Sequence, residues 1–207
     1  TAAIVLGLVA ALCAIVTVFC QAMIYASLKP IRQWHNGFVA PNLVLLGLAS
    51  GGACLAAMAT FWAIGSGRVA AAIAVVLCVL ALLAKLAYWR FIDHGSPAAT
   101  IESATGLGRI GPVRELEAPH TEENYLLREM GYAIARRHAA RLRRIALGAG
   151  FALPIVLLLV GIGLGDPVAM ALFPIAAATA LLGVYVERWL FFAEATHTVT
   201  LYYGRAG

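Results

Sequence analysis

Charged residues are scarce in this chain. Asp, Glu, Lys and Arg together make up 12% of its 207 residues, whereas soluble domains carry about 25%. Hydrophobic residues make up 62%, and the mean hydropathy is +0.88. This composition excludes an ordinary soluble domain. The net charge of +5 comes without interleaved basic and aromatic residues, so we expect a membrane lipid environment and no nucleic-acid partner.

The chain also lacks a paired cysteine spacing, and it has no histidine in the middle of an apolar run. The four cysteines lie inside apolar runs without a Cys-x-x-Cys spacing, so we expect neither disulfides nor an iron-sulfur cluster bound by this chain: Cys13, Cys20, Cys54 and Cys78. No histidine lies in the middle of an apolar run, so we expect no haem in this chain and no metal site: the five are His35, His94, His120, His138 and His197.

Long apolar runs dominate what is present. Five runs are long enough to cross a hydrocarbon core of about 30 Å; they cover residues 2–28, 41–64, 69–91, 145–164 and 168–192. We predict an all-α, polytopic membrane helix bundle, with residues 1–207 in one integral membrane domain. Pro154 is expected to kink the fourth run. Gly47, Gly51 and Gly52 predict close helix packing by the second run.

The long polar segment at residues 93–144 predicts an extramembrane connector with an amphipathic helix starting near Thr121. Basic residues collect on this side of the membrane, which the positive-inside rule assigns to the cytoplasm. Its arginines are expected either to contact lipid phosphate or to dock an acidic partner subunit. The docking candidates are Arg109, Arg114, Arg136, Arg137 and Arg141.

The stretch from Glu187 to Gly204 places ionisable groups at or near membrane depth. Each such group costs roughly 2.5–3.5 kcal/mol at a helix centre, so it usually pairs, faces a cavity or carries protons. Interpreted as a continuation of the fifth helix, the stretch places Glu187, Glu194 and His197 on one face. Glu187 and Arg188 form either a structural ion pair or separate anchors inside the bundle, or they take part in a functional site.

Three further residues have a structural interpretation at this stage. Lys85, near the end of the third run, is predicted to snorkel toward the interface. Trp34 is predicted to lie at the headgroup boundary, as are Tyr202 and Tyr203.

Three kinds of function remain open from these residues. An electron-transfer anchor needs apolar spans, a polar platform for a soluble partner, and polar groups near the interface that bind a quinone or accept its protons. A purely structural tether or a small-molecule transporter would also use such spans. The candidate residues for quinone binding or a proton path are Glu187, Arg188, Glu194, His197, His35 and Arg32.

Several stretches of the sequence resemble the membrane-anchor subunit of dimethyl sulfoxide reductase, a family that includes the anchors of related molybdenum oxidoreductases such as a sulfite-oxidising enzyme. The resemblance extends over essentially the whole chain. It is carried by residues 20–35, 104–108, 119–126 and 187–197, together with Tyr202-Tyr203-Gly204.

The resemblance implies a subunit of the bacterial inner membrane with eight helices and no haem. That subunit exchanges electrons between quinone and a partner iron-sulfur subunit, which serves a molybdopterin catalytic subunit. The five runs would match the last five helices, and the family's early His-Leu-Gly-x-Pro motif is absent, so we expect about three helices before Thr1. The resemblance leaves open whether the long polar segment lies outside, against the charge count.

Overall fold

All five apolar runs form helices, which is how a backbone satisfies its hydrogen bonds in hydrocarbon. The computed structural model describes residues 2–62, 65, 67–95, 99–114, 116, 133–198 and 201. Within those ranges five helices are long and apolar enough to cross a membrane, and no strand occurs. The predicted all-α membrane bundle is confirmed, and the chain is a multi-pass membrane protein.

The first three spans are single helices and the fourth is interrupted. The helices are α1 Ala2–Ala26, α2 Val39–Phe61, α3 Gly67–His94, α4 Ile101–Thr105, α5 Ala133–Arg137, α6 Ala139–Leu147, α7 Leu153–Leu164 and α8 Asp166–Ala193. A 3₁₀ turn at Leu107–Arg109 follows α4, and a π-helical turn at Gly148–Ala152 joins α6 to α7. The fourth span is therefore Ala139–Leu164, and α8 is the fifth.

The predicted connector, residues 93–144, overlaps the ends of the helices on either side of it. Helix α3 continues to His94, and the helix of the fourth span begins at Ala139. Arg143 lies on that helix, where Asp93 and Glu194 neutralise it, as described below. The predicted helix start near Thr121 lies outside the described residues, and α5 is the described end of that region.

The bundle consists of α2, α3, α6–α7 and α8. Helix α2 packs against α3 and α8, α3 packs against α7, and α7 packs against α8. Alanines fill much of the middle, which lets the helices approach closely; the buried ones include Ala49, Ala53, Ala56, Ala74 and Ala180. Helix α1 lies beside α2 and buries only Ala22.

The glycine-rich stretch of α2 packs differently from the prediction. Added Cβ atoms at Gly47 and Gly51 would meet nothing within 4 Å, whereas one at Gly52 would lie 3.2 Å from the Ala74 Cβ atom. Only Gly52 therefore lies in a close helix contact, with α3. The closely packed face of α2 is its alanine row, because alanine is small enough for the crossing without losing helix propensity.

The fourth span changes helix type just before Pro154, while the kink expected at this proline stays a prediction. Proline has no N–H to donate to the preceding turn, and the π-helical turn at Gly148–Ala152 lies immediately before it. In this turn Gly150 approaches Gly183 of α8 so closely that a Cβ atom on Gly150 would lie 3.1 Å from the Gly183 Cα atom. Because neither glycine has a side chain, the backbones of α8 and the fourth span come into direct contact at this point.

We predict that Gly183→Ala destabilises the protein, because the new methyl group would overlap the Gly150 backbone. Overpacking of this kind costs about 1–3 kcal/mol, so the thermal unfolding midpoint in detergent should fall. The matched control is Gly163→Ala, which faces open space in α7 and should gain about 1 kcal/mol of helix propensity. Equal midpoints for the two variants would contradict the close crossing.

Candidate functional site: charged residues at the polar end

Polar contacts between helices concentrate at one end of the bundle, here called the polar end, where α3 and α8 finish and α2 and α6 begin. The opposite end carries the exposed pair Arg68–Asp166, with Nη2 and Oδ1 2.7 Å apart. The candidate functional residues that the structure brings together all lie at the polar end.

The inner cluster consists of Lys85 on α3 with Glu187 and Arg188 on α8. The Lys85 ammonium donates to Glu187 Oε1, and the two side chains are 1% and 0% exposed. Arg188 donates from Nη2 to Oε1 at 2.7 Å and from Nε to Oε2 at 2.5 Å. One buried carboxylate is therefore bound by two cations, and the Glu187–Arg188 ion pair, one of the two structural interpretations, is present.

The prediction that Lys85 snorkels is wrong. Its ammonium lies 4.2 Å from the Tyr88 ring centroid and 5.0 Å from the Trp89 ring centroid, inside the bundle. A carboxylate on the facing helix satisfies the ammonium better than a stretched side chain would, because ionised groups in hydrocarbon need a partner. Aromatic faces add cation–π attraction.

The outer cluster consists of Asp93 on α3, Arg143 on α6, and Glu194 at the end of α8. Arg143 Nη1 and Nη2 donate to the two Asp93 oxygens at 2.7 and 2.9 Å, and Arg143 Nε donates to Glu194 Oε1 at 2.7 Å. Such a bidentate guanidinium–carboxylate contact is strong and directional. The three groups tie three helices together where the bundle meets the aqueous phase.

Exposure falls steeply across this outer cluster. The side chain of Asp93 is 47% exposed, that of Arg143 is 22% exposed, and that of Glu194 is 10% exposed. Glu194 Oε2 is buried and has no hydrogen-bond partner among the described residues. Burial raises the pKa of Glu194, and the hydrogen bond from Arg143 offsets this only in part.

The Trp89 ring lies between the two clusters. Its centroid is 5.0 Å from Lys85 Nζ and 5.2 Å from Arg143 Cζ, so a cation of each cluster contacts it. The Trp89 Nε1 atom is buried and finds no acceptor within the described part of the chain. The inner and outer clusters are thus neighbours, separated by one aromatic side chain.

The prediction that the last helix continues through His197 is wrong. Helix α8 ends at Ala193, and the exposed His197 does not share the face of Glu187 and Glu194. Arg136 bonds the carbonyl groups of Ala193 and Ala195 at 2.8 and 2.7 Å. These bonds satisfy backbone acceptors that would otherwise favour another helical turn.

Residues of the loop between α1 and α2 redirect the chain after α8. Gln33 Nε2 donates to Thr196 Oγ1 at 2.6 Å, and Thr196 N donates to Gln33 Oε1 at 3.3 Å. Thr198 N donates to the Pro30 carbonyl at 3.2 Å. Gln33 also accepts at its carbonyl from the Tyr88 hydroxyl at 3.0 Å, so this loop connects α3 to the chain beyond α8.

Two of the candidate residues in that loop bind helix ends. Arg32 donates to the Phe91 carbonyl at 3.2 Å, and its guanidinium lies 4.9 Å from the Phe91 ring centroid. His35 Nδ1 lies 2.6 Å from the Ala26 carbonyl, which can only accept, so this nitrogen carries the proton. Both side chains satisfy carbonyl groups in the last turns of α3 and α1.

Trp34 contacts the end of α8, and its position at the headgroup boundary stays a prediction. Its Nε1 donates to the Phe191 carbonyl at 2.9 Å, and its ring stacks on Phe191 at a centroid distance of 5.6 Å. The rings of Tyr25 and Phe192 complete this aromatic cluster. Through Tyr25, this aromatic pairing attaches α1 to α8.

The remaining predicted residues separate into two groups. Arg109 and Arg114 are exposed on the connector, Arg137 is exposed at the end of α5, and Arg141 is exposed near the start of the fourth span. Tyr202 and Tyr203 lie outside the described residues, so their belt role stays a prediction.

In the part of the chain that the structure describes, no group of three or more histidine, cysteine or acidic side chains is arranged to bind a metal.

Sequence reasoning missed Lys85, Asp93, Arg143 and Gln33 as members of the site. A signal for the first was available. Lys85 is the one deep charge of the third run and Glu187 the first acid of the fifth, and both lie roughly two to three turns inside the polar end of their helices. Matching opposite charges at similar depth predicts the pair.

We predict that Lys85→Met destabilises the protein strongly, because Glu187 would lose one of its two cations within the bundle. Removing one partner of a buried pair costs about 3–5 kcal/mol, and the double variant Lys85→Met, Glu187→Gln should recover part of that. Thermal unfolding in detergent measures both. The control, Arg68→Met at the exposed pair, should cost about 1 kcal/mol or less; a Lys85→Met effect no larger than this would contradict the role of the ion pair.

One curated relative is similar to nearly all of this chain. The sequence is 30% identical over 203 residues to one of the subunits of the sulfite dehydrogenase of Allochromatium vinosum, covering 97% of this chain and 60% of the relative. The chain thus spans about three fifths of that relative's length. No family model and no solved structure matches the chain. The wider family expected from the sequence, that of dimethyl sulfoxide reductase anchors, remains a prediction, while the similarity found is to a subunit of a named oxidoreductase.

Proposed function

We propose that this chain is the membrane subunit of an oxidoreductase complex, exchanging electrons between the quinone pool and a partner iron-sulfur subunit. The observation that carries the proposal is the buried Lys85–Glu187–Arg188 cluster at the polar end. Its support is the similarity to a protein that is named as part of a sulfite dehydrogenase.

Buried charge argues for chemistry beyond anchoring. Replacing a buried ion pair by apolar residues is often neutral or stabilising, so a tether alone gains little from one. A quinone, by contrast, takes up two protons with two electrons, and its oxygens need polar partners at membrane depth. Ionisable residues inside a membrane bundle are for this reason functional candidates by default.

The relative's name suggests a substrate and a direction. Under this proposal a molybdopterin catalytic subunit oxidises sulfite and water to sulfate, two protons and two electrons. The iron-sulfur subunit passes the electrons to this chain's quinone site, where quinone and two protons give quinol. Glu187, Arg188 and Glu194, together with the newly identified Lys85, are the residues proposed to serve that site. His197, His35 and Arg32 are proposed to act only by holding the surrounding loops.

The partner subunit is proposed to dock at the polar end. Exposed arginines collect there, and an acidic partner surface would complement them. The candidates remain Arg109, Arg114, Arg136, Arg137 and Arg141, although Arg136 already bonds the end of α8. From the excess of basic residues at this end, we propose that it faces the cytoplasm across a bacterial inner membrane.

We expect the complex to purify with iron and molybdenum when a tag on this chain is used. With sulfite as donor, the complex in liposomes should reduce decylubiquinone, followed by its ultraviolet absorbance. Ferricyanide, which takes electrons from the soluble subunits directly, is the control acceptor. Sulfite oxidation with ferricyanide but none with the quinone would show a structural tether, and a chain that purifies without iron would refute the proposal.

Reversing two exposed charges, Arg137→Glu with Arg141→Glu, should weaken docking without affecting the bundle. Both side chains are exposed, so the isolated chain should keep its thermal midpoint. Iron retained per chain after purification should fall by about tenfold or more, since like-charge contacts at an interface cost several kcal/mol. Arg68→Glu at the opposite end is the control, and equal iron content in all three proteins would exclude docking at Arg137 and Arg141.

A further inference from the structure

Glu187 and Glu194 differ in how many of their oxygen atoms are already bonded. Glu187 Oε1 accepts from Lys85 and Arg188, and its Oε2 accepts from Arg188. Glu194 Oε1 accepts from Arg143, while Glu194 Oε2 is buried without a partner among the described residues. A protonated carboxyl carries its hydrogen on one oxygen. Glu194 therefore has a place for a proton, whereas a proton on Glu187 would displace a cation.

Charge balance distinguishes the two residues in the same way. Glu187 is one negative charge facing two positive charges, so neutralising it would leave the buried Lys85 ammonium and the partly exposed Arg188 guanidinium without a counter-ion. Glu194 and Asp93 are two negative charges sharing Arg143. Protonating Glu194 leaves Arg143 and Asp93 as a balanced pair, which a partly buried site favours.

We propose that Glu194 is the proton-carrying carboxyl of this membrane subunit and that Glu187 is a fixed counter-ion. This inference rests on the proposed function, in which a quinone is reduced near the inner cluster. It assigns different tasks to two acids that the sequence placed on one helical face.

The groups around Glu194 define the route of the proton. Arg143 of α6 holds one oxygen, and Asp93 of α3, 47% exposed, lies on the far side of Arg143 toward water. Arg136 of α5 binds the neighbouring Ala193 and Ala195 carbonyls. Toward the bundle, Trp89 separates Arg143 from Lys85.

In the proposed step, the O–H bond of protonated Glu194 breaks and its proton passes to a reduced quinone oxygen. The electrons come from the iron-sulfur partner. Glu194 is left as a carboxylate held by Arg143, and a proton from water, entering beside Asp93, restores it. Two such transfers with two electrons convert one quinone to one quinol, and no other oxidant or reductant is required.

The pH dependence follows from the same groups. Glu194 donates only when protonated, so quinone reduction should slow as pH rises through its pKa. Burial places that pKa above the ordinary range of a glutamate. The ferricyanide reaction bypasses the membrane step and should not share this dependence.

The test compares Glu194→Gln, Glu194→Asp and Glu187→Gln in the whole complex, reconstituted in liposomes with sulfite and decylubiquinone. Glu194→Gln should lower the quinone reduction rate about a hundredfold, the low end of what a positioned proton-transfer group contributes. It should also abolish the fall with pH, while the ferricyanide rate and iron content stay at wild-type values. Glu194→Asp should restore part of the rate. Glu187→Gln should lower the thermal midpoint and leave the pH profile of any remaining activity unchanged.

Infrared difference spectra between low and high pH provide a readout that does not need turnover. The wild-type complex should show a carboxylic C=O band that Glu194→Gln removes, and Asp166→Asn, a matched carboxylate-to-amide change at the opposite end, should retain it. The inference would be overturned if Glu194→Gln kept the wild-type rate, pH profile and infrared band. It would also be overturned if only Glu187→Gln shifted the pH profile. If the wild-type complex reduced ferricyanide but not quinone, the proposed function would be refuted. In that case the infrared spectrum still tests the inference, and a missing carboxylic band in the wild-type complex would refute it.

Discussion

A single buried contact constrains the packing of the bundle, the one between Lys85 and Glu187, which are 102 residues apart in the chain. Both α3 and α8 pack mainly against α2 and the fourth span. Because neither charged group can face hydrocarbon, α3 and α8 must turn these two side chains toward each other at one depth inside the bundle. Small side chains in the middle of the bundle let the helices come close enough for this contact. Gly150 and Gly183 have no side chains, so the fourth span packs directly against the backbone of α8. The apolar residues allow many arrangements of five helices, whereas the charges allow few.

Basic side chains from outside each helix hydrogen-bond its last turn at the polar end. His35 binds the last carbonyl of α1, Arg32 binds a carbonyl in the last turn of α3, and Arg136 binds the last carbonyl of α8. A helix end leaves four carbonyl groups without internal partners and carries a partial negative charge. Part of the basic excess at the polar end therefore holds the bundle together. Some arginines that the sequence suggests for partner docking, such as Arg136, already bind a helix end in this structure.

The sequence alone predicted the spans well, because each depends only on a continuous apolar run. It also predicted the adjacent pair Glu187–Arg188 as one structural possibility. Lys85 was misread because its partner lies on another helix, and a single run contains no information about which helix it will meet. The end of α8 was misread for the same reason: the groups that redirect the chain after Ala193 come from Gln33 and Arg136, far away in sequence. Local patterns predict elements, while long-range polar contacts decide where the elements stop and which side chains form a site.

Helix α1 is attached to the bundle at one end only. It buries Ala22 alone and is held near its last turn by the aromatic contacts of Tyr25 with Trp34, Phe191 and Phe192. An apolar helix adapts to a thicker or thinner bilayer by changing its tilt. Within the described chain, α1 therefore contributes one fixed turn, at Tyr25, and a long apolar surface for whatever surrounds the bundle, while the ion pair of Lys85 and Glu187 forms without it.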